Sequence, residues 1–188
     1  IKGEWGVGKT FSWKQFLEEA NSKGKIKSDR YSYVSLFGIN SLDAFKYTIF
    51  ENVIKRDIIG TQASIETFKN NTTSLIESLG RNSFSLFKGT PIIKSFTPAI
   101  EAVSFLSLNN ILICIDDLER KGKSLDIKDV LGLVSLLKEQ KKCKIVLLLN
   151  DGETGLEDYD KYREKVIDIE LAFTPVPAEC ASIAFPEK

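Results

Sequence analysis

The sequence predicts an α/β protein with a mostly parallel central sheet flanked by helices on both faces. Two uninterrupted apolar runs, Ile111–Ile115 and Ile145–Leu149, have the length of strands buried on both sides. Segments of helical spacing alternate with strand-like segments along most of the chain, the order that yields parallel pairing through crossover helices. The 188 residues are 43% hydrophobic and 28% charged. That is enough apolar material, over enough chain, for one domain with a sizeable core.

Taken in order, Ile1 and Lys2 read as the end of a first strand. With no Met anywhere, we expect a piece of a longer protein, cut upstream of this strand and also downstream. Trp13, Phe16, Leu17 and Ala20 predict a helix over 10–21 with one buried face. The polar stretch Asn21 to Asp29 contains Gly24 as its stop signal. Tyr31–Phe37 alternates and is rich in β-formers, so it is the second strand. Ser41 caps the next helix, with Leu42, Phe45, Ile49 and Val53 on its apolar face.

From Gly60 to Asn110 the chain is rich in Ser, Thr and Asn, with helical spacing in 65–79 and 99–108. We read it as a partly helical insertion packed on the core. Pro91–Leu108 is apolar enough to raise the question of a membrane, but Lys94, Pro98 and Glu101 interrupt it. No uninterrupted run reaches the roughly 20 apolar residues of a spanning helix.

After Ile111–Ile115, Asp126 caps a helix that turns Ile127, Val130, Leu131, Val134 and Leu137 inward. Lys138 to Lys144 is a basic helix end facing solvent. Beyond Ile145–Leu149, residues 157–164 predict a short helix, and Val166–Leu171 alternates like a half-exposed strand. Pro175 and Pro177 close the domain. Residues 1–174 thus form one core, clipped at its first strand, with the insertion at about 60–110; residues 175–188 begin a following element.

Composition removes several functions. There is no histidine, and Cys114, Cys143 and Cys180 form no CxxC pair, which excludes zinc sites and His-based catalysis and implies a reducing, cytoplasmic compartment. Formal charges sum to zero, so no global field favours nucleic acid or an anionic membrane.

The chemistry sits in Gly3-Glu4-Trp5-Gly6-Val7-Gly8-Lys9-Thr10, which fits G-x-x-x-x-G-K-[ST], the phosphate-binding pattern called Walker A. Gly3, Gly6 and Gly8 permit positive φ, so successive N–H groups can turn inward around a polyphosphate. The helix that follows adds free N–H groups and its positive dipole end. Lys9 would reach the β- and γ-phosphates, and the Thr10 hydroxyl would bind Mg²⁺. The strand Ile111–Ile115 delivers Asp116-Asp117-Leu118-Glu119-Arg120 at its end, the Walker B arrangement. Asp116 would hold Mg²⁺ directly or through water, and a carboxylate beside it would polarise the attacking water. Asp117 is the first candidate, and Glu119 is held in reserve for the case that the short Asp side chain does not reach the water. Asn150, where the strand Ile145–Leu149 stops, is either a site residue or a turn former with Asp151 and Gly152.

GEWGVGKT, ILICIDDLER, KIVLLLN and YREKVIDIELAFTPVP resemble the KAP family of P-loop NTPases and, more broadly, their STAND and AAA+ relatives. The resemblance spans nearly the whole chain. It implies a P-loop NTPase fold, with the insertion between the second strand and the Walker B strand. It also implies ATP and Mg²⁺ as ligands. The implied nucleotide contacts are Gly3, Glu4, Trp5, Gly6, Val7, Gly8, Lys9, Thr10 and Phe11, with Thr10 and Asp116 at the metal. In such proteins the strand ending in Asn150 lies between the loop strand and the Walker B strand, and its Asn meets the γ-phosphate or the attacking water. AAA+ proteins usually place Glu after the Walker B Asp, where this chain has Asp117.

Two functional classes follow. One is an ATPase whose turnover drives conformational change or assembly of a larger protein; the resemblance implies roles in signalling or in bacterial defence against phage. The other is a nucleotide-gated switch or scaffold with little or no hydrolysis. Asp116 and Asp117 together favour the ATPase, because a pure binder has no need of a second carboxylate. No N-K-x-D stands where guanine would be read, which disfavours a GTPase, and no Arg-rich lid suggests a small-molecule kinase. The five arginines are Arg30, Arg56, Arg81, Arg120 and Arg163. Arg163 matches the position from which AAA+ relatives reach into a neighbouring subunit's site; its other reading is a helix-end residue held by the dipole. The implied partners are therefore ATP, further copies of the full-length protein, and effector domains outside this stretch.

Overall fold

The computed structural model describes residues 1–78, 104–150, 152 and 156–184. Among these, β2 (Arg30–Ser35), β4 (Ile111–Asp116) and β5 (Lys144–Leu147) run parallel, with the short β3 (Ile54–Lys55) antiparallel at the β2 edge. A two-stranded parallel pair joins β1 (Lys2–Gly3) to β6 (Leu149–Asn150). β5 and β6 are one run of chain broken only at Leu148, whose N–H is donated to Ile115 O at 2.8 Å. The order across the molecule is therefore β3, β2, β4, β5/β6, β1. The run that ends in Asn150 stands between the loop strand and the acid-bearing strand.

Strand periodicity divides the core in two. Val34, Ile113, Ile115, Leu147 and Leu149 face a large cluster with Phe45 and Ile49 of α2 (Leu42–Glu51) and Val130, Leu131, Val134 and Leu137 of α4 (Ile127–Lys141). Tyr31, Cys114 and Leu148 face the opposite way, against Trp13 and Leu17 of α1 (Lys9–Ser22). Each fully buried aliphatic side chain contributes about 1.5–3 kcal/mol. Ser41 caps α2 as its sequence position requires, its Oγ accepting the Ala44 N–H at 3.1 Å. Asp126 takes the N-cap position of α4 but makes no side-chain cap bond. Lys142, at φ 53, closes that helix in the left-handed conformation.

In the inserted region, α3 (Ile65–Ser78) is held to α2 by Phe68, which packs edge-on to Phe50 and Tyr47. Asn71 Nδ2 also donates to Val53 O at 2.7 Å. Residues 79–103, with Arg81 and most of Pro91–Leu108, lie outside the described residues, as does Asp151. Among the described residues no helix is long and apolar enough to cross a membrane.

Several expectations need correction. Phe16 is 62% exposed: it lies against Trp13, ring centroids 6.1 Å apart, and lines an open groove with Val146 and Leu171 instead of entering the core. Ile145 and Val146 are half-buried, so that run is fully buried only from Leu147 onward. Val166–Leu171 is not a strand: Val166 ends α5 (Glu157–Val166), and Ile169 is 74% exposed. A strand needs a partner edge, and β1 offers two residues; the chain pairs there only through a bridge from Ala172 to Lys2. Lys138 is not merely solvated. Its Nζ donates to Val166 O at 2.8 Å and to Asp168 Oδ1 at 2.9 Å, tying α4 to the end of α5. Past Pro175, α6 (Pro177–Ala184) starts on proline, with Glu179 accepting the Val176 N–H at 2.8 Å.

Candidate functional site

Parallel strands all end on one edge of a sheet, and Lys9, Thr10, Asp116, Glu119 and Asn150 meet there. The turn from β1 into α1 takes positive φ at Gly6 (83°) and Gly8 (91°), and Gly8 is the N-cap of α1. Gly3 differs from the expectation, since its φ is not positive. A Cβ there would stand 2.4 Å from Phe173 O, so glycine is needed for the close approach of the 171–173 backbone. Trp5 at the loop tip is 74% exposed, Glu4 and Phe11 are also exposed, and Val7 is half-buried.

Lys9 is buried beneath this loop. Its Nζ donates to Gly3 O at 2.8 Å, Glu4 O at 2.7 Å and Asn150 Oδ1 at 2.6 Å. Asn150 is thus buried, with its side chain bonded to Lys9. Thr10 Oγ1 donates to Asp116 Oδ2 at 2.6 Å, which joins the first turn of α1 to the end of β4. Asp116 is buried with both oxygens engaged: Tyr33 OH donates to Oδ2 at 2.8 Å and the Asp117 N–H to Oδ1 at 2.9 Å. Burial, and then the Asp116 charge, push the Tyr33 hydroxyl's pKa up, so it stays a neutral donor.

The two remaining acids part company. Asp117 adopts the left-handed conformation (φ 57), and its Oδ2 accepts from Ser35 Oγ at 2.6 Å. Arg120 lies 3.7 Å from its other oxygen and stacks 4.0 Å over the Phe37 ring. Glu119 instead reaches Asn150, accepting from its side-chain Nδ2 and, at 3.4 Å, from its backbone N–H. Arg163 stands apart, in the last turn of α5, paired with Asp160 at 2.9 Å and Glu170 at 2.5 Å.

Sequence reasoning missed Tyr33 and Ser35, which looked like ordinary strand residues. Their role follows from register: β2 pairs with β4 so that Ser35 stands opposite Asp116 and Tyr33 two residues before it. Tyr33 and Ser35, polar side chains two residues apart and so on one face of the strand, were the available signal.

Among the described residues no three His, Cys, Asp or Glu side chains gather as a metal site. A divalent cation here would depend on the adjacent Thr10 hydroxyl and Asp116 carboxylate plus oxygens of a ligand, a donor set that suits Mg²⁺. Three cysteines are unpaired thiols, and burial raises the pKa of Cys114 and Cys143. Comparison with protein-family models, with curated proteins and with solved structures returns no match to this chain.

Proposed function

We propose that this domain binds Mg·ATP on the loop 3–10 and hydrolyses it, as a KAP-type P-loop NTPase whose turnover drives conformational change or assembly of a larger protein. One observation carries the reading: a buried lysine under a glycine loop, a threonine bonded to the acid at the end of the buried strand β4, and an asparagine between them share one sheet edge. Lys9 supplies charge to the phosphates from a position prepared by Gly3, Glu4 and Asn150. Thr10 and Asp116 hold the metal, and Tyr33 fixes the Asp116 carboxylate toward it. The metal, when bound, neutralises charge on the phosphates. The strand order agrees with this family's arrangement, in which the asparagine strand separates the loop strand from the acid strand.

Asp116→Asn tests the metal role. It should weaken Mg²⁺-dependent nucleotide binding and lower hydrolysis by about 10² or more, as loss of a charge-bearing ligand does. Equal binding and turnover with and without Mg²⁺ in both chains would contradict it. A nucleotide-gated switch without hydrolysis is the second reading. It is favoured by the engagement of both Asp117 oxygens, one with Ser35 and one with Arg120, which ties up the expected water-polarising group.

A further inference from the structure

Lys9, Asn150 and Glu119 form a continuous hydrogen-bonded chain from the phosphate loop to a carboxylate. An ammonium has three protons, and Lys9 directs them at Gly3 O, Glu4 O and Asn150 Oδ1. To donate to a phosphate, it must give up one of these acceptors. The first two are backbone carbonyls, one at the end of β1 and one in the loop, whereas the Asn150 amide can rotate about its own side-chain torsion. Once Lys9 turns away, the Asn150 amide loses the bond that fixes its orientation, and its hold on Glu119 loosens with it. Glu119 sits on the single helical turn Leu118–Arg120 and is half-buried, so its side chain has room to move. Asp117 is in the opposite situation, fixed by its left-handed backbone, Ser35 and Arg120.

We propose that Glu119 is the proton-accepting carboxylate of the reaction and that Asn150 latches it in the nucleotide-free chain. The proposal rests on the nucleotide reading above and goes beyond it by assigning the base and its off-state. In the step served by Glu119, a water oxygen bonds to the γ-phosphorus. The bond from that phosphorus to the bridging oxygen breaks, and its electron pair leaves on the β-phosphate. The proton released by the water passes to a Glu119 oxygen. Asp117 serves as a positioning residue that shapes the turn after β4.

Two measurements test this. The first is a double-mutant cycle on urea unfolding, with Glu119→Ala, Asn150→Ala and the double variant, without nucleotide and then saturated with Mg²⁺ and a non-hydrolysable ATP analogue. We expect coupling of about tenfold in the unfolding equilibrium without nucleotide, falling below about twofold with the analogue. Asn150→Ser replaces Asn150→Ala should the latter not fold. Coupling that is absent throughout, or equal in both states, overturns the latch. The second is hydrolysis and analogue binding by Glu119→Gln and Asp117→Asn. Glu119→Gln should bind the analogue and lose about 10²–10⁴ in rate, at least about tenfold more than Asp117→Asn. The reverse order, or a parent chain that binds Mg·ATP without turnover, overturns the assignment of the base. A parent chain that takes up no Mg·ATP overturns the nucleotide reading itself, and the latch with it.

Discussion

Asp116 shows how one side chain joins three elements. Its carboxylate is bonded by Thr10 from α1, Tyr33 from β2 and the N–H of Asp117 beyond β4. Tyr33→Phe removes one donor and leaves two. A hydrogen bond to a charged group contributes about 1.5–3 kcal/mol, so urea unfolding should report a loss near the lower end of that range for this half-buried tyrosine. An unchanged midpoint would show that water replaces the phenol at no cost. Gly3 is limiting for a different reason: Gly3→Ala drives a methyl group to 2.4 Å from a backbone carbonyl that cannot rotate away. We expect about 1–3 kcal/mol of destabilisation, again measured by denaturant. Local pattern made Lys9, Thr10 and Asp116 legible in the sequence, because a phosphate loop and an acid at a strand end are contiguous signals. Tyr33 and Ser35 were not legible, since their task depends on which strand lies beside which.

At the scale of elements, periodicity performed well wherever burial was continuous. The apolar run at Ile111–Ile115 and the helical stripe from Ile127 to Leu137 both correspond to elements with fully buried faces. It failed at Val166–Leu171, where alternation was present but β1 offers an edge of only two residues. It failed again at Phe16, which lines an open groove beside the buried Trp13 and Leu17. This contrast is measurable. Phe45, fully buried in the larger cluster, should lose about 3–5 kcal/mol on Phe45→Ala. Phe16→Ala should change stability by no more than about 0.5 kcal/mol. Similar losses at the two positions would mean that the two faces of the sheet are not packed as described.

For the whole molecule, strand order is what assembles the site. Placing the Asn150 run between β1 and β4 brings residues 9, 116, 119 and 150 to one edge from stretches far apart in sequence. Arg163 stands outside this edge, and Asp160 and Glu170 account for its position without a neighbouring copy. Arg163→Ala should therefore hydrolyse ATP within about twofold of the parent. Slow hydrolysis that recovers on mixing with Lys9→Ala chains would instead establish an arginine acting between subunits. The claim on which everything else depends is that the glycine loop and Lys9 receive a polyphosphate. Calorimetric titration of Mg·ATP into the parent and into Lys9→Ala tests it most directly. Removing a buried charge that meets an ionic partner costs about 2–5 kcal/mol, so affinity should fall by about 10² or more in the variant. Equal affinity in the two chains, or no heat in either, would contradict the phosphate-binding role of Lys9.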